Sequence, residues 1–434
     1  FFKLGVFNDE VERTFFQQTL SNKDGGLFNP VTSRPPQFES DWENDVSDLF
    51  VQGERSGLVY PDPIKYPNGI YTNLPNTTMF ASRADIGYEG VQELDAWYWM
   101  GELPILDFLS IKGGARYEKF TLQTFLNPDD IMTARVLKPN SAPAGLTPEG
   151  DGYAEDVDYS RSDVLPSVGF DLRPLEKVAL RFNWAKTVAK QQFKEIVPIR
   201  QREYAGAPVF AGNPALKASP VENIDFRLDY TPYPGGLISA SFFQKDITDP
   251  IEYFLGIDSV NYVTFATNYP AATVEGWEME VRQSLGEYAS SLAGMNVGGN
   301  FTIIEGELNA GDGVSRDVME MPEFLYNLFL TYDAAWKDVK LGLFYTHQGD
   351  TLKTNRPEIG SVPAVYALAY GTLNFSVSMN VTDRLKLSFK AKNILNPEIQ
   401  TVFRRTDEEI HFPDEVYTSY TKGREYSIGM SYTF

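Results

Sequence analysis

The last twelve residues, GREYSIGMSYTF (423–434), sort into two faces. Tyr426, Ile428, Met430, Tyr432 and Phe434 are large and apolar, while Ser427, Gly429, Ser431 and Thr433 between them are small or polar. That period of two marks a β-strand, whose side chains point to opposite faces at successive positions.

The same period recurs upstream. In IDFRLDY, Ile224, Phe226, Leu228 and Tyr230 alternate with Asp225, Arg227 and Asp229. In VALRFNW, Val178, Leu180, Phe182 and Trp184 alternate with Ala179, Arg181 and Asn183. GWEMEVR sets Trp277, Met279 and Val281 against Glu278, Glu280 and Arg282, and LSIKGGARYE puts Lys112, Arg116 and Glu118 on one face. The pattern predicts about fourteen strands, near 1–20, 92–103, 107–123, 161–173, 177–190, 221–231, 236–252, 273–286, 294–309, 322–334, 337–349, 365–381, 384–402 and 416–434. Helix signals are almost absent; SDWENDVSDLF (40–50), with Ser40 and Glu43 at capping-box spacing, is one.

Connections alternate in length. Short turns are expected at 104–106, 174–176, 232–236 and 381–383, and long loops at 21–91, 124–160, 191–220, 310–321, 350–364 and 403–415. A β-sandwich explains alternating faces equally well, with the apolar faces packed together and the polar faces in water. Regular alternation of short and long connections instead favours an up-and-down barrel with long loops outside the cell. Segments of 12–20 residues also exceed the about 5–6 of ordinary soluble strands.

Composition narrows the function. The 434 residues carry a net charge of −21, which argues against nucleic acid as a partner. Charged residues are 22% and mean hydropathy is −0.29, and there is no apolar run long enough for a transmembrane helix. Zero cysteine suits an exported protein. Aromatics at 14% suit carbohydrate-facing surfaces or the girdles of a membrane barrel. The first residue is Phe1 and FFKLGVF reads as strand interior, so the expectation is a chain whose true N-terminus lies upstream.

Several stretches resemble the TonB-dependent outer-membrane transporters. GNPALKASPVENIDFRLDY (212–230) resembles that family's loop-to-strand signature, LSIKGGARYE (109–118) a recurrent hairpin strand, and NYPAATVEGWEMEV (268–281) a glycine-led strand. KNILNP (392–397) resembles its penultimate hairpin, and GREYSIGMSYTF its closing strand. The resemblance is tightest over about 110–434. It implies an all-β fold, an antiparallel transmembrane β-barrel of the outer-membrane type, here lacking its N-terminal strands, its plug and the TonB box. It implies that the face of Tyr426, Ile428, Met430, Tyr432 and Phe434 is the signal read by the barrel assembly machinery, and that the last strand closes against the first.

The resemblance further implies a bacterial outer-membrane receptor, surrounded by lipid and lipopolysaccharide. It would bind a small-molecule or oligomeric nutrient, a siderophore, oligosaccharide or peptide, and import it with a TonB-type energy-transducing protein. A partner lipoprotein or other membrane subunits are compatible with it. The alternatives are a non-transporting barrel that scaffolds a larger membrane complex, and a secreted multi-sandwich sugar-binding protein.

No enzymatic constellation stands out. His347 and His411 are the two histidines, and no nucleophile elbow, phosphate loop or zinc motif occurs. No cofactor or metal is expected. The acidic runs at 39–48, 149–158 and 406–415 lack EF-hand spacing; they read as solvated loops, with divalent bridging to lipopolysaccharide phosphates as a second reading. His347 shares a face with Val339, Leu341, Leu343 and Tyr345, which places it at a membrane interface. Trp97 and Trp99 are assigned to the girdle on the short-turn side.

The lumen-facing polar set is Lys112, Arg116, Glu118, Arg181, Asp225, Arg227, Asp229, Glu278, Glu280 and Arg282. These residues would hold a plug, line a substrate path, or form cross-strand pairs. Loop aromatics Trp42, Tyr60, Tyr66, Tyr71, Tyr153, Tyr204 and Phe210 are the candidate ligand surface.

Overall fold

A computed structural model describes residues 1–17, 20–24, 50–52, 59–61, 77–81, 86–126, 156–201, 209–258, 261–311, 313–334, 338–354, 363–404 and 413–434. Fourteen antiparallel strands form one continuous wall, each hydrogen-bonded to its neighbours in chain order. They are β1 (Phe2–Gln17), β2 (Ile86–Leu106), β3 (Leu109–Leu126), β4 (Val157–Leu175), β5 (Val178–Ala189), β6 (Ser219–Tyr230) and β7 (Leu237–Thr248). The second half is β8 (Ala271–Ser284), β9 (Met295–Gly311), β10 (Phe324–Ala334), β11 (Val339–Gln348), β12 (Tyr370–Thr382), β13 (Leu385–Lys392) and β14 (Glu425–Tyr432).

The fourteen alternating segments of the sequence map onto these strands one for one. Their boundaries move in places. Residues 104–106 continue β2, and the turn follows at Asp107–Phe108. The alternating run 236–252 ends as a wall strand at Thr248. Beyond it, Ile251–Asp258 and Asn261–Asn268 form a hairpin inside a long connection, 249–270, that alternation alone merges with its neighbours. Likewise the last long connection is 393–424, wider than 403–415, because Ile399–Arg404 and Glu415–Tyr420 pair with each other outside the wall. The helix signal at 40–50 falls almost wholly outside the described residues.

The wall is inside out relative to a water-soluble domain. Val6 is 87% exposed and Ile428 84%, whereas Asp229 is 7% and Glu118 8%. On strand after strand the outward face is apolar for about four side chains from the short turn, then switches to polar. On β4 this band runs Leu172, Phe170, Val168, Pro166, Val164, then Ser162; on β6 it runs Tyr230, Leu228, Phe226, Ile224, then Glu222. Val164 to Leu172 is eight steps of about 3.4 Å, about 27 Å along the strand. At a tilt of about 40° that is about 21 Å, close to the about 25 Å apolar band of an outer-membrane barrel.

Aromatic residues mark both limits of the band. Trp97, Tyr117, Trp184, Trp277, Tyr326 and His347 sit at its loop-side limit. Trp97 stacks on Tyr117, with ring centroids 5.9 Å apart, and His347 on Tyr326 at 5.1 Å. The Trp184 indole donates to Glu222 at 2.7 Å, an apolar body with a wet end. Trp97 therefore belongs to the loop-side girdle; the turn-side assignment fails because four outward positions, 97, 99, 101 and 103, separate Asp95 from the turn. Tyr230, Tyr288, Tyr332 and Tyr432 occupy the turn side.

The sheet is open. β1 pairs with β2 and β14 with β13, and the closure expected between the last strand and the first is not made among the described residues. Fully buried apolar clusters lie instead at the loop end. Phe193, Ile196, Val197 and Ile199, from the 190–218 connection, pack on the inward faces of Tyr88, Phe120, Leu122 and Val157. Tyr269 packs with Ala272 and Leu308 in the same manner. The connections also pair among themselves: Thr351–Thr354, Ala364–Ala367, Ile399–Arg404 and Glu415–Tyr420 form one small sheet.

Candidate functional site: the charged inner wall and the packed loop end

Near the short turns the inner face carries a run of strictly alternating charge. Lys112 lies within 3.9 Å of Glu102 and bonds the Asp171 carboxylate. Arg181 Nε is 3.6 Å from the same Asp171, and its Nη1 bonds Asp229. Arg227 holds Asp229 through Nε at 2.8 Å and Glu280 through Nη2 at 3.1 Å. Arg282 closes the run on Glu280 at 2.5 Å. From β2 to β8 the order is Glu102, Lys112, Asp171, Arg181, Asp229, Arg227, Glu280, Arg282.

Register explains the run. Lys112 faces Gly169, which has no side chain, so the ammonium reaches past it to Asp171. Arg181 and Arg227 are direct cross-strand partners, a like-charge pair that alone would be unfavourable. Buried Asp229, two residues along β6 from Arg227 and diagonal to Arg181, bonds both and relieves the repulsion. Arg227 Nη1 crosses β7 by donating to Ser241 Oγ at 3.3 Å. With side chains part-exposed, each pair contributes only about 0–1 kcal/mol. The run's main effect is to leave this stretch of inner wall neutral.

A second cluster stands nearer the loop end. Glu118 accepts from Arg116 Nε at 2.6 Å and from Lys190 Nζ at 2.7 Å. Lys190 also lies 4.9 Å from the Phe120 ring and Arg116 5.2 Å from the Phe7 ring, so the ions border the apolar cluster above. Arg161 and Asp163 pair beside them at 2.8 Å.

Of the lumen set expected from sequence, Lys112, Arg181, Arg227, Asp229, Glu280 and Arg282 join in the first run, and Arg116 and Glu118 in the second. Asp225 and Glu278 share the inward face but form no ion pair among the described residues. Glu102, Asp171 and Lys190 were missed. Asp171 was visible on the polar face of DVLPSVGFDL; Lys190 ends the alternating segment 177–190 in phase with its apolar face, but lies just past the end of β5, where the chain turns it inward.

The loop end is a connected layer. The Tyr253 hydroxyl bonds Glu195, and Glu252 accepts from the Met319 N–H at 2.8 Å, tying three connections together. Arg404 joins two more by bonding Asp350 and Asp414, both at 2.9 Å, and lies over the Tyr366 ring at 4.7 Å. Burial, with the Asp317 carboxylate beside it, pushes the Tyr366 phenol up to about 12.

Phe210 packs edge-on to Tyr253 with centroids 5.3 Å apart and beneath Lys194, inside this layer. Trp42, Tyr66, Tyr71, Tyr153 and Tyr204 lie outside the described residues. Tyr60 falls in the ribbon of Phe50–Gln52 with Val59–Pro61, whose side chains lie outside them as well. Among the described residues no group of three or more His, Asp or Glu side chains is arranged to hold a metal ion.

Comparison with known proteins agrees with the geometry. The family described as "TonB dependent receptor-like, beta-barrel" matches residues 5–394. No curated protein matches the chain. Solved structures with the same fold include the copper transporter OprC, with 14% identity and a TM-score of 0.55 over 81% of this chain and 54% of that one. The ferric citrate transporter FecA gives 13% identity and 0.54 over 87% and 48%. The ferric-catecholate import receptor Fiu from E. coli K12 gives 16% identity and 0.51 over 99% and 52%. The chain thus spans about half the length of the solved structures it matches.

Proposed function

Because the chain belongs to the TonB-dependent receptor β-barrel family, we propose that it forms wall and loops of a bacterial outer-membrane receptor that captures a scarce nutrient and admits it through the barrel. The observation that carries this reading is the inversion of the wall. An apolar band bounded by two girdles faces outward, a neutralised ladder of charge faces inward, and packed connections stand over one end. Such a wall is stable in lipid and wet inside, which is what passage of a polar solute requires.

The packed loop layer is the capture surface in this reading. The inner wall is the face against which a plug rests, and a TonB-type protein supplies the energy to move that plug. The open edges of β1 and β14 are seams at which further wall strands join, since lipid offers unpaired N–H and C=O groups no partner. Siderophores and metal complexes are the substrate class favoured by the resemblance to OprC, FecA and Fiu.

The test is uptake of radiolabelled iron presented as citrate, catecholate and hydroxamate complexes, and of radiolabelled copper, in cells with and without the gene. Loss of uptake of one complex, restored by the gene only while the TonB system is intact, is the expected result. Unchanged uptake of all four overturns the transport reading in favour of a non-transporting scaffold.

A further inference from the structure

The inner wall is not neutral all the way round. From β2 to β8 its charges at the short-turn end alternate in sign and pair. At β9 to β11 they give way to amides and hydroxyls: Asn327 donates to Asn300 at 2.8 Å, and Thr346 to Asn327 at 2.7 Å. Beyond these comes an excess of one sign. Lys340 on β11 and Lys386 and Lys390 on β13 line a recess of about 510 Å³ together with Ser376, Ser378 and Ser388.

The register makes this recess compact. Ser378 lies opposite Lys340 on one side and Ser388 on the other, and Lys390 lies opposite Ser376. Lys386 and Lys390 flank Ser388 on the same inward face, about 13 Å apart along the strand. Lys340 has one exposed partner, Asp333, at 3.3 Å. Lys386 and Lys390 form no ion pair among the described residues. Gly342 forms part of the lining: a Cβ there would stand 2.7 Å from the Phe344 ring and 3.0 Å from Ser376 Oγ. Among the described residues, three ammonium groups and three hydroxyls face a single carboxylate, Asp333, which lines the same recess; the site keeps an excess of positive charge in a protein whose net charge is −21.

We infer that this recess on the inner wall of β11–β13 binds a compact polyanion, a di- or triphosphate-like or polycarboxylate solute, through Lys340, Lys386 and Lys390 with hydroxyl donors from Ser376, Ser378 and Ser388. Clustered cations repel one another unless an anion lies between them, and hydroxyls complete the shell of an oxyanion that bulky side chains would exclude. The site is separate from the loop layer proposed above for nutrient capture, at the opposite end of the lumen, and it stands on wall geometry alone.

The experiment is calorimetric titration of the detergent-folded protein with inorganic pyrophosphate, at low salt and free of divalent cations. The double variant Lys386→Gln/Lys390→Gln is expected to bind at least about tenfold more weakly, about 1.4 kcal/mol. Gly342→Val, which alters no charge, is expected to weaken binding by crowding Ser376. Lys119→Gln, which removes a cation from the outer face, is expected to change nothing. Heat-modifiable migration on gels confirms folding, and the two single lysine variants repeat the test if the double one misfolds. Equal affinity in wild type and lysine variants, or no binding to wild type, overturns the inference. A null result here leaves uptake at the loop end untouched, and a null uptake result leaves this site untouched.

Discussion

Replacing Leu228 by arginine tests the orientation of the wall directly. Leu228 lies on the outward face of β6, flanked across the ladder by Leu180 and Ala240, with Phe226 and Ile224 on one side of it and Tyr230 on the other. No described side chain covers it, and it is 39% exposed. If lipid is its environment, an arginine there sits near the middle of the apolar band and costs about 2–4 kcal/mol. The same substitution at Tyr230, in the turn-side girdle, costs about 0–1 kcal/mol because the guanidinium reaches the interface. One residue away, Arg227→Leu removes a lumen cation. Asp229 keeps Arg181 and Glu280 keeps Arg282, so no carboxylate is left alone and the cost is about 1 kcal/mol. The assay is denaturant unfolding of each variant from lipid vesicles, followed by tryptophan fluorescence. A cost for Leu228→Arg below about 0.5 kcal/mol, the level of an ordinary surface change, would refute the lipid assignment. Equal costs at 227 and 228 would refute the inside–outside assignment, and a flat profile from 224 to 230 would refute the band.

Phe434→Ser is expected to lower the amount of assembled barrel in the outer membrane while leaving synthesis unchanged, as read by membrane fractionation; normal levels would remove Phe434 from the assembly signal. Gly276→Ala is expected to destabilise the folded protein by about 1–3 kcal/mol, because its Cβ would lie 2.5 Å from both the Ile303 carbonyl oxygen and the Phe243 ring; unfolding in vesicles checks it. In alkali, phenolate absorbance of wild type minus Tyr366→Phe should show one group titrating near pH 12. Since burial raises that phenol, its contribution to holding the loop layer is complete below about pH 10 and is lost as pH climbs through about 12. A difference centred near the ordinary tyrosine value would count against the buried placement.

The wall was legible because lipid and lumen impose opposite demands on neighbouring residues. Leu228 and Arg227, or Met279 and Glu280, cannot exchange places without reversing a whole strand, so the period of two survives in fourteen segments and their turns. The charge runs were half legible. Sequence put Arg181, Arg227 and Asp229 on one face, but that Arg181 faces Arg227, with Asp229 resolving the conflict, follows from register across two hairpins. The loop layer was nearly illegible. Its hairpin strands at 251–258 and 261–268 are short, the second also pairs with 209–211 far upstream, and the segment carrying Phe193 and Ile196 is buried against a wall whose inward face is mostly polar. Nothing local announces that Phe120 and Leu122, inward residues at the loop end of β3, should be apolar where Arg116 and Glu118 are not. That change of side-chain type along one face is the signal a depth-by-depth reading would have caught.

The partition of charge gives the chain's acidity a structural meaning. A run of four anions and four cations keeps the short-turn end of the inner wall of β2–β8 neutral, while Asp225 and Glu278, farther along the same face, form no ion pair among the described residues. The surplus acid is carried elsewhere. Above the loop-side girdle the outward faces hold Glu10 and Glu12 on β1, Glu93 and Asp95 on β2, Glu275 on β8, and Glu305 and Glu307 on β9, all exposed. There bulk water and salt screen them, and each costs little. The switch from apolar to acidic on the outer face and the pairing of charge at the short-turn end of the inner face are therefore one constraint expressed in three surroundings: lipid rejects charge, the inner wall accepts it mostly in pairs, and open solvent accepts it singly. The inner wall departs from pairing at Lys386 and Lys390 of β13, beside the paired Lys340 of β11, and by this logic that recess is where an anion from outside the chain completes the balance.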